Sequence, residues 1–180
     1  MKKKVFDEIP RIENGKLLIR QLLPRDAEQL DELRNSENVY KYLPTFLYEK
    51  EDMDADEVIE GMYSEMFPEM ESVFLGVFLK PDYEFVGLAE LYGYRGDVKK
   101  VSVGYRFLEK FWGQGIGTEA LKLVVNYLLE ETDTEIITAS TMLDNVASAR
   151  VLEKNGFNRT SMVEEDWGYP VPTMANKWFL

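Results

Sequence analysis

The chain is 180 residues long and 45% apolar, with 33 acidic against 21 basic side chains and a formal net charge of −12. That balance argues against nucleic acid, which demands a basic face, and favours cationic partners such as amines through long-range attraction. Cysteine and histidine are both absent, so thiol chemistry, disulfides and cysteine-based zinc sites are excluded, and any general base must be Asp, Glu, Tyr or an ordered water.

The length suits one domain with a full core, residues 1–180. No apolar run approaches a membrane span. The opening Met1-Lys2-Lys3-Lys4-Val5-Phe6-Asp7 lacks the apolar stretch of a secretory signal, so a cytoplasmic setting is expected. Lys16 to Leu23 reads as the first strand. Pro24-Arg25-Asp26-Ala27 opens a helix to about Arg34, with Leu30 and Leu33 on one face, and Asn35 to Pro44 reads as an aromatic-bearing loop. A second helix is predicted over Asp52 to Phe67, with Met53, Val58, Ile59, Met62 and Met66 at core spacing and Pro68 ending it.

Strands are then predicted over Ser72–Leu79, Glu84–Leu91 and Lys100–Leu108, with turns at Pro81-Asp82 and Gly93 to Asp97. A third helix runs from Gly115 to about Glu131, turning Ala120, Leu121, Val124, Val125 and Leu128 inward. Glu135–Thr141 is a β-branched strand. Asp144-Asn145 caps a fourth helix that stops at Asn155-Gly156. Phe157–Val163 and Ala175–Phe179 close a mixed α/β domain.

The most informative stretch is Phe111-Trp112-Gly113-Gln114-Gly115-Ile116-Gly117-Thr118-Glu119-Ala120. Glycines let successive backbone N–H groups approach an anion, and the first N–H groups of the helix lack internal partners at the positive end of its dipole. A Walker loop needs Gly-Lys-Ser/Thr, and Gly117-Thr118-Glu119 has no lysine. A dinucleotide fingerprint has its third glycine three positions after the second and an acid closing the next strand. Here the glycines step by two and that strand ends in Ser140-Thr141.

Two blocks carry a family resemblance. One is Val103-Gly104-Tyr105-Arg106-Phe107-Leu108 leading into Trp112-Gly113-Gln114-Gly115-Ile116-Gly117-Thr118. The other is Asp144-Asn145-Val146-Ala147-Ser148-Ala149-Arg150-Val151-Leu152-Glu153-Lys154-Asn155-Gly156-Phe157. The chain resembles the GNAT superfamily of acyl-CoA-dependent N-acetyltransferases, and within it the branch of the ribosomal-protein N-terminal acetyltransferases. The match is close over residues 100–160; before that it holds only in element order.

The resemblance implies a mixed α+β fold, with a mostly antiparallel sheet splayed between the fourth and fifth predicted strands and about four helices around it. It implies acetyl-CoA as acetyl donor and no metal. The coenzyme diphosphate would rest on Gly113, Gln114, Gly115, Ile116, Gly117 and Thr118, and the pantetheine arm would lie along the fourth strand near Tyr105 and Phe107. An amine would attack the thioester directly. Asn145 would bond the arm, and Ser148, three residues on and sharing its face, would protonate the leaving thiolate or orient a water toward it.

Two departures stand out. Trp112 occupies a position where many members carry Arg or Gln, and Ser102 one where they often carry Glu. The branch points instead to Glu165, in Glu164-Glu165-Asp166, as base through water, with Glu90 as a second candidate. Tyr40, Tyr42, Phe46, Tyr48, Trp167 and Tyr169 fall in loops that wall the acceptor site in this family and suit a cationic amine. The expected partner is a small-molecule amine or a peptide N-terminus, with neither nucleic acid nor membrane, and a homodimer is allowed. The rival reading is a catalytically silent acyl-CoA sensor on the same fold.

Overall fold

The computed structural model describes residues 1–180. Its strands are β1 (Ile12–Glu13), β2 (Leu17–Arg20), β3 (Ser72–Leu79), β4 (Glu84–Arg95), β5 (Lys100–Phe107), β6 (Ile136–Met142), β7 (Asn158–Glu165) and β8 (Thr173–Phe179). They form one sheet in the order β1-β2-β3-β4-β5-β6-β8-β7. Every neighbouring pair is antiparallel except β5 and β6. The helices are α1 (Ala27–Arg34), α2 (Glu37–Tyr40), α3 (Ala55–Gly61), α4 (Ile116–Glu131) and α5 (Val146–Lys154).

The sheet is covered on both faces at its centre, which is why β3 is buried from Ser72 to Phe78 and reads as an apolar run rather than an alternation. The Tyr105 hydroxyl meets Ser148 of α5, and Gly117 of α4 lies over the Phe107 ring, so α4 and α5 pack on one face of β5. Arg106 points the other way, to Glu49 in the connection after α2.

Three expectations shift. The loop predicted over Asn35–Pro44 contains the single turn α2, which buries Val39 in the core. The helix predicted over Asp52–Phe67 starts at Ala55 behind an Asp54–Glu57 capping box and widens into a π-turn over Met62–Met66. There Met62 is core, but Met66 lines a cleft. The turn predicted at Gly93–Asp97 begins later, because Gly93, at φ +59°, bends β4 at a register shift and the strand runs on to Arg95.

The expected splay lies between β5 and β6. They pair only at Lys100↔Ile136, Val101↔Ile137 and Ser102↔Thr138. The Ser102 and Thr138 hydroxyls, 2.7 Å apart, close the last rung. Beyond it Val103 to Phe107 pair with β4 alone, while β6 continues against β8. The result is a wedge-shaped opening in the middle of the sheet.

Candidate active site

At one end of the wedge the glycine loop turns into α4. Gly113 and Gly115 have φ of +71° and +77°, and a Cβ added at either would meet nothing within 4 Å. Left-handed backbone on an open surface is what glycine supplies here. None of the N–H groups from Gly113 through Thr118 has a protein acceptor, so six consecutive donors face the N-terminal end of a 16-residue helix. Glu119, the acid of that first turn, is turned to Asn14, whose Nδ2 donates to it at 2.6 Å. Gln114 donates its side chain to the Lys110 carbonyl and stays out of the cleft.

Along the wedge, Tyr105 and Ser148 are brought together, with the hydroxyl oxygens 2.8 Å apart. Burial pushes the Tyr105 phenol well up, and the Ser148 bond offsets only part of that. Asn145 caps α5 by accepting from the Ser148 N–H at 3.2 Å, which fixes the first turn of the helix that carries Ser148. One turn apart on the same helix, Arg150 and Lys154 also line the cleft. Neither is singled out by the sequence analysis, although their i, i+4 spacing on the predicted fourth helix was the available signal. They bring positive charge to the cleft wall, where Trp112 brings none. Trp112 instead donates its indole N–H to the Phe107 carbonyl at 2.8 Å.

The opposite face of the wedge is polar and acidic. Arg106 is 3% exposed in its side chain and holds two carboxylates. It donates Nε and Nη2 to Glu49 at 2.5 and 2.6 Å, and Nη1 to Glu90 at 2.7 Å. Ser72 donates to the other Glu90 oxygen at 2.7 Å, and Tyr40 donates to Glu49 at 3.0 Å. Burial alone would lower the guanidinium pKa, but the two carboxylates drive it well above its ordinary value.

Across the wedge, Glu165 accepts from Lys177 Nζ at 2.5 Å and from Trp167 Nε1 at 2.9 Å. Burial raises the Glu165 carboxyl, and these bonds more than reverse it, leaving the pKa below the usual carboxylate range. Lys177 also donates to Ser140. Glu49, Arg106 and Lys177 escaped the sequence reading because each gains meaning only from a partner far along the chain.

A continuous cleft of about 1180 Å³ joins these parts, from the glycine loop through the wedge to the acidic face. Tyr105, Phe107, Asn145, Ser148 and Glu165 all line it, as do the loop positions other than Gln114. Of the aromatic residues expected at the acceptor end, Tyr42, Phe46, Tyr48 and Trp167 line it. Tyr40 is held against Glu49, and Tyr169 fixes the loop by donating to the Leu43 carbonyl at 2.7 Å. No group of three or more His, Cys, Asp or Glu side chains is arranged to hold a metal ion, and no helix is long and apolar enough to cross a membrane.

A family model described as an acetyltransferase (GNAT) domain matches residues 16–158. The chain is 24% identical over 159 residues to the uncharacterized N-acetyltransferase YoaA of Bacillus subtilis (strain 168), covering 87% of each. The fold is similar to that of a GNAT-family acetyltransferase from Bacillus anthracis, with TM-score 0.81, 22% identity and coverage of 95% of this chain and 98% of that one. It is also similar to RimL, a ribosomal L7/L12 α-N-protein acetyltransferase solved with coenzyme A, with TM-score 0.79, 17% identity and coverage of 95% and 97%.

Proposed function

The chain belongs to the GNAT acetyltransferase family and is an N-acetyltransferase, and from that premise we propose that it moves an acetyl group from acetyl-CoA to a primary amine by direct attack in a ternary complex. The observation that carries this reading is the single cleft: the glycine loop, with five cleft-lining residues whose N–H groups are unpaired, at one end and an acidic, aromatic floor at the other. The first end suits an anion and the second an ammonium. One sheet and one continuous core support treating residues 1–180 as one domain.

The coenzyme contributes an acetyl thioester. The residues of this chain bind and orient it. Backbone N–H groups from Gly113 to Thr118 take the diphosphate, and Arg150 and Lys154 supply charge for the remaining phosphate. The edge of β5 released beyond Ser102 takes the pantetheine arm as an added strand near Tyr105 and Phe107 and polarises the carbonyl. Asn145 keeps the first turn of α5 against that arm.

When the amine nitrogen bonds to the acetyl carbon, the carbon–sulfur bond breaks and the sulfur needs a proton. Ser148 donates it and is re-protonated from solvent, while the Tyr105 hydroxyl, held neutral by burial, fixes the Ser148 hydroxyl through their hydrogen bond. Glu165 receives the amine proton through water, while Lys177 and Trp167 fix its position. The acceptor is a small amine or a flexible peptide end, since a chain at −12 repels polyanions.

The test is release of free thiol from acetyl-CoA across a panel of alkyl amines and peptide N-termini. Turnover on at least one of them is expected. Coenzyme binding with no turnover on any would overturn the reading.

A further inference from the structure

The ion network under the acceptor end is one cation short. Arg106 spends two of its three nitrogens on Glu49 and one on Glu90, so one positive charge faces two carboxylates. All three residues are buried: Glu49 at 0%, Arg106 at 5% and Glu90 at 8% exposure. Of the two acids, only Glu90 lines the cleft. A surplus negative charge shielded from water is costly unless a cation completes it.

A second observation points into the same spot. Tyr92, half-buried, lines the cleft beside Glu90, and its hydroxyl makes no protein hydrogen bond, which leaves it free to meet a ligand. Its ring lies across β5 at Gly104, where an added Cβ would stand 3.4 Å from Cε1. The phenol there feels the charges of both Glu90 and Glu165. Glu165 already has Lys177; Glu90 has only Arg106, which it shares with Glu49.

We propose that Glu90 is the counter-ion for the acceptor's ammonium group, with the Tyr92 hydroxyl as a second contact, so that this pair sets the enzyme's preference for protonated amines. The inference rests on the reading above, that the acceptor is an amine, and adds the residues that select it. The ammonium would complete the network as two carboxylates against two cations, with Glu165 across the wedge placed to receive its proton.

The experiment compares wild type with Glu90→Gln and Tyr92→Phe on an alkyl primary amine, protonated at neutral pH, and on an aniline, which is not. Gln keeps the shape of Glu90 and its bonds to Ser72 and Arg106. Glu90→Gln should raise KM for the alkyl amine about tenfold or more, far more than it raises KM for the aniline, and leave coenzyme Kd nearly unchanged. Tyr92→Phe should raise the same KM less. Damage to the fold alone would weaken coenzyme binding and both acceptors together.

An unchanged KM for the alkyl amine in Glu90→Gln would overturn the inference while leaving the reading intact; no turnover of any amine by wild type would instead remove the reading itself. If the wild type accepts alkyl amines but no aniline, the alkyl-amine KM decides: a KM unchanged in Glu90→Gln with coenzyme Kd intact overturns the proposal.

Discussion

The hydroxyls of Tyr105 on β5 and Ser148 on α5 lie 2.8 Å apart, inside the wedge where β5 has left β6. Tyr105 reaches Ser148 Oγ and also the Ser148 carbonyl, at 3.2 Å, so the two elements are tied at the point where a thiolate would need a proton. Removing either hydroxyl should separate their roles. Ser148→Ala should lower kcat by about 100-fold, within the usual range for losing a general acid, with coenzyme Kd little changed. Tyr105→Phe leaves Ser148 in place and should cost less. Equal kcat for Ser148→Ala and wild type in a thiol-release assay would rule out Ser148 as the donor.

The glycine loop makes a prediction about backbone rather than side chains. Gly115→Val forces a β-branched residue to φ +77°, at a cost of about 1–2 kcal/mol, and puts a side chain where a phosphate would approach. Coenzyme affinity should fall steeply. Gln114→Ala should do little, because its side chain serves Lys110 outside the cleft. Calorimetry on both variants checks this. A larger loss from Gln114→Ala than from Gly115→Val would mean that the backbone does not form the cradle.

In the proposed complex Arg150 and Lys154, which line the cleft, would give the anionic coenzyme a local positive field within a chain of net charge −12. Arg150→Ala should weaken coenzyme A about tenfold, as expected for loss of a charge-assisted phosphate contact, and reduce the salt dependence of its Kd. Binding of dephospho-coenzyme A should change less. Equal losses for both ligands would place Arg150 elsewhere than at the third phosphate.

Glu165 carries a pH signature. Its pKa lies below the ordinary carboxylate range, so the ion pair with Lys177 is fully present above the unfolded-state value and is lost as pH falls through the lower, folded one. As a base, it stays competent to unusually low pH. In Lys177→Met the stabilising partner is gone and burial is left opposed only by Trp167 and Ser140, so the carboxyl pKa rises. The acid limb of the kcat/KM profile should move to higher pH. A limb at the same pH in both proteins would show that another group takes the proton.

The half of the cleft proposed to hold the coenzyme is built from parts that were legible in the sequence because they are local. Glycines in steps of two set the loop, Asn145 and Ser148 share a helix face by spacing alone, and Tyr105 and Phe107 alternate on one strand. The acceptor half was legible only in part. Its aromatics could be named, yet Tyr40 and Tyr169 turned out to brace loops rather than line the cleft, since nothing local decides which way a loop side chain turns.

By itself, the sequence determined the order of elements, the anion-ready loop and the absence of histidine and cysteine chemistry. These follow from residue type and from periodicities no longer than a helical turn. Only the tertiary structure decided which charges meet. Glu49 and Arg106 are 57 positions apart, and Arg106 and Glu90 are 16 apart across a hairpin. Such pairs are chosen by the sheet order and by which face each strand turns inward, and burial then makes their charge balance matter.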